Sequence, residues 1–198
     1  MNTNMNQNDR RGFLSKMLVA GASGVALLSS SAFAGGKSGR NGGTAELDDD
    51  QRDRLFFIYQ EEKVARDVYI HLGNEYPDES TFASIQLAEQ RHMDAAQKLC
   101  ENYGIDISMV DESDDGYGQF FVPYLDDLYK ECLRLSGNTL PEALAVGVLV
   151  EETDIGTLSD TLDGEVGEMP ADVINTYETL REGSYNHLES FEARLARV

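Results

Sequence analysis

The sequence predicts an all-α fold, a four-helix bundle built as two antiparallel helix hairpins joined by a long crossover that contains a short extra helix. Three observations predict it. Four stretches place their apolar side chains at alternating three- and four-residue steps, the spacing of one helical face. Turn-forming residues separate them: Pro77-Asp78-Glu79 after the first, Gly104 after the second, Gly164 to Met169 after the third. Each stripe also carries acids, imidazoles or a hydroxyl where aliphatic side chains would normally stand, so the core is the expected site of chemistry.

The first helix is expected from about Asp48 to Tyr76, with Asp49 and Asp50 in the first turn, where the helix dipole favours negative charge. Its stripe is Leu55, Ile58, Glu62, Ala65, Tyr69 and Leu72, with Glu62 in the middle. The neighbouring Glu61 is read as facing solvent, and His71, off the stripe, as a surface histidine. Ser80 is the expected cap of the second helix, which runs to Tyr103 before Gly104 ends it. Its stripe is Phe82, Ile85, Glu89, His92, Ala96, Leu99 and Tyr103, so Glu89 and His92 share a face one turn apart. The connection is short, which makes the first two helices an antiparallel pair.

Between Gly104 and Asn138 lies the crossover, with an acidic, Gly-bearing loop and a shorter helix from about Val122 to Leu135. Asp111, Ser113, Asp115 and Gly116 match the opening of an EF-hand calcium loop. Val122 stands where the closing bidentate Glu is required, so the segment reads as a solvated acidic loop. Thr139 and Pro141 open the third helix, whose stripe is Leu140, Leu144, Gly147, Glu151, Asp154 and Leu158, with Glu152 outward. Pro170 opens the fourth, with Val173, Tyr177, Leu180, Ser184, His187 and Phe191 inward. Tyr69 and Tyr177 are read as core aromatics able to donate to neighbouring carboxylates.

An unpaired buried carboxylate costs several kcal/mol, roughly the net stability of a small domain. The stripes contain no Lys or Arg, so bound metal is the simplest compensating charge. Glu62, Glu89, Glu151 and Asp154 bring four negative charges, which two divalent cations would balance with His92 and His187 as uncharged ligands. Hard oxygen donors with two imidazoles suit two iron ions, or manganese; a structural zinc site favours thiolates. A single tightly held metal is the alternative.

At the start of the chain, Asp9-Arg10-Arg11-Gly12-Phe13-Leu14, the modestly apolar stretch from Met17 and the small-residue site Ala32-Phe33-Ala34 read as a twin-arginine export signal over residues 1–34. Residues 35–50 read as a flexible linker, and residues 51–198 as one domain. The expected destination is periplasmic or extracellular. The formal net charge is −20, and loss of Arg10, Arg11, Lys16 and Asp9 with the signal leaves the remainder more acidic still. Nucleic acid and anionic membrane surfaces are therefore not expected partners. Cys100 and Cys132 are the only thiols, and two readings stand side by side: a disulfide formed in an oxidising compartment, or two buried free thiols.

These residues resemble the ferritin-like superfamily, its rubrerythrin-like branch in particular. Glu62-Lys63-Val64-Ala65-Arg66 with Tyr69 resembles the first-helix motif of that branch, Glu89-Gln90-Arg91-His92 its Glu-x-x-His, and Glu151 with Asp154 a shortened Glu-x-x-Glu. Glu61-Glu62-Lys63, Glu89 to Met93, Glu151 to Ile155 and Ser184 to Leu188 together look like an uncharacterised ferritin-like family, domain of unknown function 2202. In the fourth helix Ser184 stands where a Glu would precede His187, so one bridging carboxylate of the usual pattern is missing and Asp154 is the expected substitute. The resemblance implies a di-iron or di-manganese protein reacting with oxygen or peroxide, with Fe²⁺ or an external electron donor supplying electrons. This chain lacks the Cys-rich electron-delivery domain of full rubrerythrins. The alternatives are an iron-binding or sequestration protein without turnover, and a metal-free structural bundle.

Overall fold

Asp48 starts the helical part of the chain by a reciprocal cap: its carboxylate accepts from the Gln51 N–H at 2.9 Å, and its own N–H donates to Gln51 Oε1 at 3.1 Å. A computed structural model describes residues 46–198. The expected export signal and residues 35–45 of the expected linker lie outside the described residues. At the linker's end, Asp49 and Asp50 already belong to the first helix, and Leu47 is buried in the core.

The elements are α1 (Asp49–Glu75), α2 (Ser80–Asn102), a 3-10 turn (Asp114–Gly116), α3 (Pro123–Leu135), α4 (Leu140–Leu162) and α5 (Ala171–Leu195). The described residues are thus all-helical. The cap of α2 is Glu79 instead of Ser80. Its carboxylate accepts from the Thr81 N–H and hydroxyl and from Arg194 Nε, so the end of α5 holds the group that caps α2. Thr139 caps α4 as expected, with Pro141 in its first turn. No helix among the described residues is long and apolar enough to cross a membrane.

Helix α1 packs on α2 and α4 on α5; α1 also meets α4 and α2 meets α5, while α3 lies against α1 and α4. The four long helices therefore share one interior. In α5 the buried set is the expected stripe, Val173, Tyr177, Leu180, Ser184, His187 and Phe191. Gly147 on α4 makes room for Phe191 on α5: a Cβ there would lie 2.6 Å from the ring. That ring packs at a tilt against Tyr69 and Phe82, with centroid distances of 5.1 and 5.8 Å.

In α1 the expected two-faced pattern fails. Every residue from Ile58 to Tyr69 is buried, including Glu61, Lys63, Arg66 and Asp67. The cause is the crossover, which folds over the outer face of α1. Lys63 Nζ donates to Asp67 Oδ2 at 2.7 Å and to the Gly116 carbonyl at 2.8 Å, and lies 4.7 Å from the centre of the Phe120 ring. Arg66 binds the other Asp67 oxygen through two nitrogens at 2.7 and 2.9 Å, and the Gly118 N–H donates to Asp67 Oδ2 at 2.9 Å. The acidic loop is thus pinned at its glycine end. Asp111 uses its carboxylate on the Ser113 N–H and hydroxyl, a local turn, and Asp114 and Asp115 face solvent as expected.

Both cysteines are free thiols and buried. Cys100 Sγ donates to the Leu55 carbonyl at 3.7 Å, and burial pushes both thiols up to about 12, which leaves them unreactive. Of the two readings of the thiols, the structure takes the second.

Candidate metal centre

Glu89 stands between two imidazoles. Its Oε2 lies 3.0 Å from His92 Nδ1 and its Oε1 lies 2.7 Å from His187 Nδ1. Residues Glu89 and His92 are one turn apart on α2, while His187 comes from α5, and the two rings stack at 5.2 Å with 26° between their planes. One ligand atom from each of Glu89, His92 and His187 can be chosen so that all lie within 4.8 Å of one another. Two further acids flank this trio. Glu62 Oε2 from α1 is 3.4 Å from His92 Nδ1, and Glu151 Oε2 from α4 is 3.6 Å from His187 Nδ1. The arrangement is near-symmetric: each imidazole has one acid of its own and shares Glu89.

Asp154 is buried one turn beyond Glu151 but is held differently. Ser184 Oγ donates to its Oδ2 at 2.5 Å, so a hydroxyl on α5 serves the acid on α4. Tyr69 does what its place on the stripe allows and donates to Glu151 Oε1 at 2.6 Å. Tyr177 is a core aromatic with its hydroxyl unpartnered.

Glu62, Glu89 and Glu151 are each only 1 % exposed, so water cannot complete their hydrogen bonding. Both oxygens of Glu62, Oε1 of Glu89, Oδ1 of Asp154 and Nδ1 of both histidines have no hydrogen-bond partner. The short approaches of Nδ1 to carboxylate oxygens are contacts without hydrogen-bond alignment. Lone pairs gathered in a dry interior, with no donors aimed at them, fit a set of metal ligands. All six residues predicted from the sequence are at or beside this cluster, five through direct approaches to an imidazole or to Glu89 and Asp154 through its place one turn from Glu151.

Without a cation, protons carry the compensation. Burial pushes Glu62 and Glu151 up to about 8, further than the nearby imidazoles can pull them down. Burial raises Asp154 as well, and the charge of Glu62 adds to it. Burial works the same way on Glu89, but the imidazoles of His187 and His92 overcome it and hold that carboxyl down to about 2. Burial opposes charge on the histidines too. The carboxylates outweigh it, taking His92 up to about 11 and His187 up to about 9.

Two residues at this site have no distinctive sequence signal. Glu61, expected in solvent, is buried with Thr157 Oγ1 donating to its Oε1 at 3.1 Å. Gly183 on α5 gives His92 its place: a Cβ there would lie 2.4 Å from Nε2 and 2.5 Å from Cε1 of the ring. A Gly183→Ala variant is expected to push the ring off Glu89 and weaken Mn²⁺ binding about 10–100-fold, the usual effect of disturbing the groups that orient a ligand. Calorimetric titration checks it. Wild-type affinity in that variant would mean that the ring does not depend on the missing Cβ.

Residues 51–197 match the family model described as Uncharacterized protein domain (DUF2202). The chain is 33 % identical over 145 residues to the uncharacterized protein MJ0754 of Methanocaldococcus jannaschii, an alignment covering 73 % of this chain and 75 % of that protein. The crystal structure of hypothetical protein MJ0754 from Methanococcus jannaschii is similar in fold, with a TM-score of 0.71 and 30 % identity over 80 % of this chain and 86 % of that one.

Proposed function

The chain belongs to the DUF2202 family, and from that membership and the buried ligand cluster we propose that it is a ferritin-like metal protein whose bundle holds two iron ions and reacts with oxygen or peroxide. The observation that carries this reading is the set of buried, unpartnered oxygen and nitrogen atoms of Glu62, Glu89, Asp154, His92 and His187, with the acids in the interior and the two imidazoles at its margin. Four acids and two neutral imidazoles balance two divalent cations, and a cation would also engage the lone pairs that have no donor aimed at them. Manganese has the same donor preference, and a single metal on Glu89, His92 and His187 is the smaller version of the same site.

Bound as a pair, two Fe²⁺ would supply the two electrons that reduce peroxide to water. The chain's own groups prepare for this. Glu89 is placed to be shared between the two halves, while Glu62 with His92 and Glu151 with His187 form one half each. Tyr69 orients Glu151, and its phenol, raised by burial and by the charge of Glu151, keeps its proton as a donor. Ser184 orients Asp154. The stack of Tyr69, Phe82 and Phe191 excludes water from that end of the site. Electrons come from Fe²⁺ itself or from an external protein, and the twin-arginine motif near the chain start supports an exported protein.

The test is anaerobic loading with Fe²⁺ followed by oxygen or hydrogen peroxide. Wild type is expected to oxidise Fe²⁺ or consume peroxide faster than a Glu62→Ala, Glu151→Ala variant. Equal rates with metal still bound would favour iron sequestration, and less than about half a metal per chain in the folded protein would argue for a structural bundle.

A further inference from the structure

Beside the centre, two buried carboxylates are left short of partners. Glu61 on α1 is 4 % exposed, and its Oε2 has no hydrogen-bond partner. Its Oε1 shares the single hydroxyl proton of Thr157, which lies 3.1 Å from that oxygen and 3.3 Å from the Thr153 carbonyl. Asp154 on α4, also 4 % exposed, leaves Oδ1 unpartnered and likewise shares a hydroxyl, that of Ser184, with the Leu180 carbonyl. Asp154 and Thr157 are one turn apart on α4, on the side that meets Glu61.

Thr157, whose hydroxyl meets Glu61, follows Asp154 by one turn of α4, and Asp154 follows Glu151 of the centre by one turn, so Glu61 and Asp154 belong to one stretch of the contact between α1 and α4. Among the described residues no basic side chain is bonded to either acid. The Arg54 guanidinium, whose charge reaches Glu61, is bonded instead to Thr161 Oγ1 at 3.1 Å and Glu165 Oε2 at 2.6 Å.

We propose that Glu61, with Asp154 as the acid it shares with the imidazole-bearing centre, holds an accessory divalent cation at a position whose donors are all oxygens. This deepens the reading of the centre and rests on it for the role of the neighbouring Glu62. Two carboxylates and two hydroxyls, without nitrogen or sulfur, select a hard cation such as Mn²⁺, Mg²⁺ or Ca²⁺. Fewer charged ligands than at the centre make it the weaker of the two positions. The competing occupant is a proton shared between Glu61 and Asp154.

Titration of the full chain with Mn²⁺, reading free ion by electron paramagnetic resonance, separates these. Wild type is expected to show tight binding at the centre followed by an additional, weaker equivalent. Glu61→Gln, which keeps the shape and removes the charge, loses only the weaker equivalent, and Thr157→Val weakens it about tenfold. Glu89→Gln loses tight binding and keeps the weaker equivalent. Crystals soaked in Mn²⁺ are expected to show an anomalous peak between Glu61 and Asp154. A Glu61→Gln titration identical to wild type overturns the proposal in favour of the shared proton; loss of tight binding in that variant overturns it by making Glu61 part of the centre. Absence of tight binding in wild type, with a weaker equivalent that depends on Glu61, fails the reading of the centre and leaves the accessory position standing.

Discussion

Mn²⁺ added to the metal-free full chain is expected to raise its thermal midpoint by about 5–15 °C. A ligand at 100 to 1,000 times its dissociation constant stabilises by about 2.7–4.1 kcal/mol, and each kcal/mol moves a domain of this size by about 2–4 °C. Glu89→Gln is expected to lose most of the gain, because Glu89 touches both imidazoles. A midpoint that ignores Mn²⁺ would remove the case for a metal centre. The gain should also depend on pH, with a sign fixed by the groups themselves. Glu62 and Glu151, ordinarily at 4.5, hold protons up to about 8, and His187 and His92, ordinarily at 6.5, hold them up to about 9 and 11. All four are raised on folding. Their contribution to the metal-free protein is therefore fully present below the unfolded values and is lost as pH rises through the folded ones. Metal must displace the same protons, so its binding strengthens over that range. The midpoint of the metal-free protein is expected to fall between about pH 5 and 9 while that of the loaded protein holds, the gap widening upward. Calorimetry in buffers of different ionisation enthalpy should find protons released on binding, about two or more per centre.

Lys63→Met is expected to lower the midpoint by about 6–12 °C, corresponding to about 3 kcal/mol. The methionine keeps much of the apolar stem but leaves Asp67, which is fully buried, with only the Arg66 guanidinium and the Gly118 N–H. It also removes the Lys63 bonds to the Gly116 and Gln119 carbonyls, leaving Gly116 only its turn bond from the Gln119 N–H, so amide exchange in residues 116–120 should accelerate more than in α2 or α5. Adding Asp67→Leu to Lys63→Met should recover part of the loss, since removing both members of a buried pair costs less than removing one. A single variant as stable as wild type would mean that the crossover is held by its apolar contacts alone. Mn²⁺ affinity separates this clamp from the centre, because Lys63 touches no candidate ligand and should leave it within about threefold of wild type.

Much of the molecule was legible before any coordinates. The stripes of α1, α2, α4 and α5 follow from a local rule, the helical repeat, and polar residues within them had to point where the apolar ones point. Glu62, Glu89, Glu151, Asp154 and His187 are buried for that reason, and His92 is half-buried beside them. The punctuation at Asp48, Thr139, Pro141 and Pro170 is equally local, since each residue acts on the backbone next to it. Glu79 shows the limit. It displaces Ser80 as the cap because Arg194, over a hundred positions away, binds its carboxylate.

Periodicity sorts side chains into one inner and one outer face; it does not say what will later cover the outer one. From sequence alone, Glu61 belonged to solvent, and Lys63, Arg66 and Asp67 stood off the apolar stripe. The crossover, laid over α1 by contacts about fifty residues apart, buried Lys63, Arg66 and Asp67, and α4 with Thr157 enclosed Glu61. The repeat of the helix thus determined which groups could meet in the middle. Only the packing of distant segments decided which outward charges would lose their water, because desolvation depends on whatever the rest of the chain brings alongside.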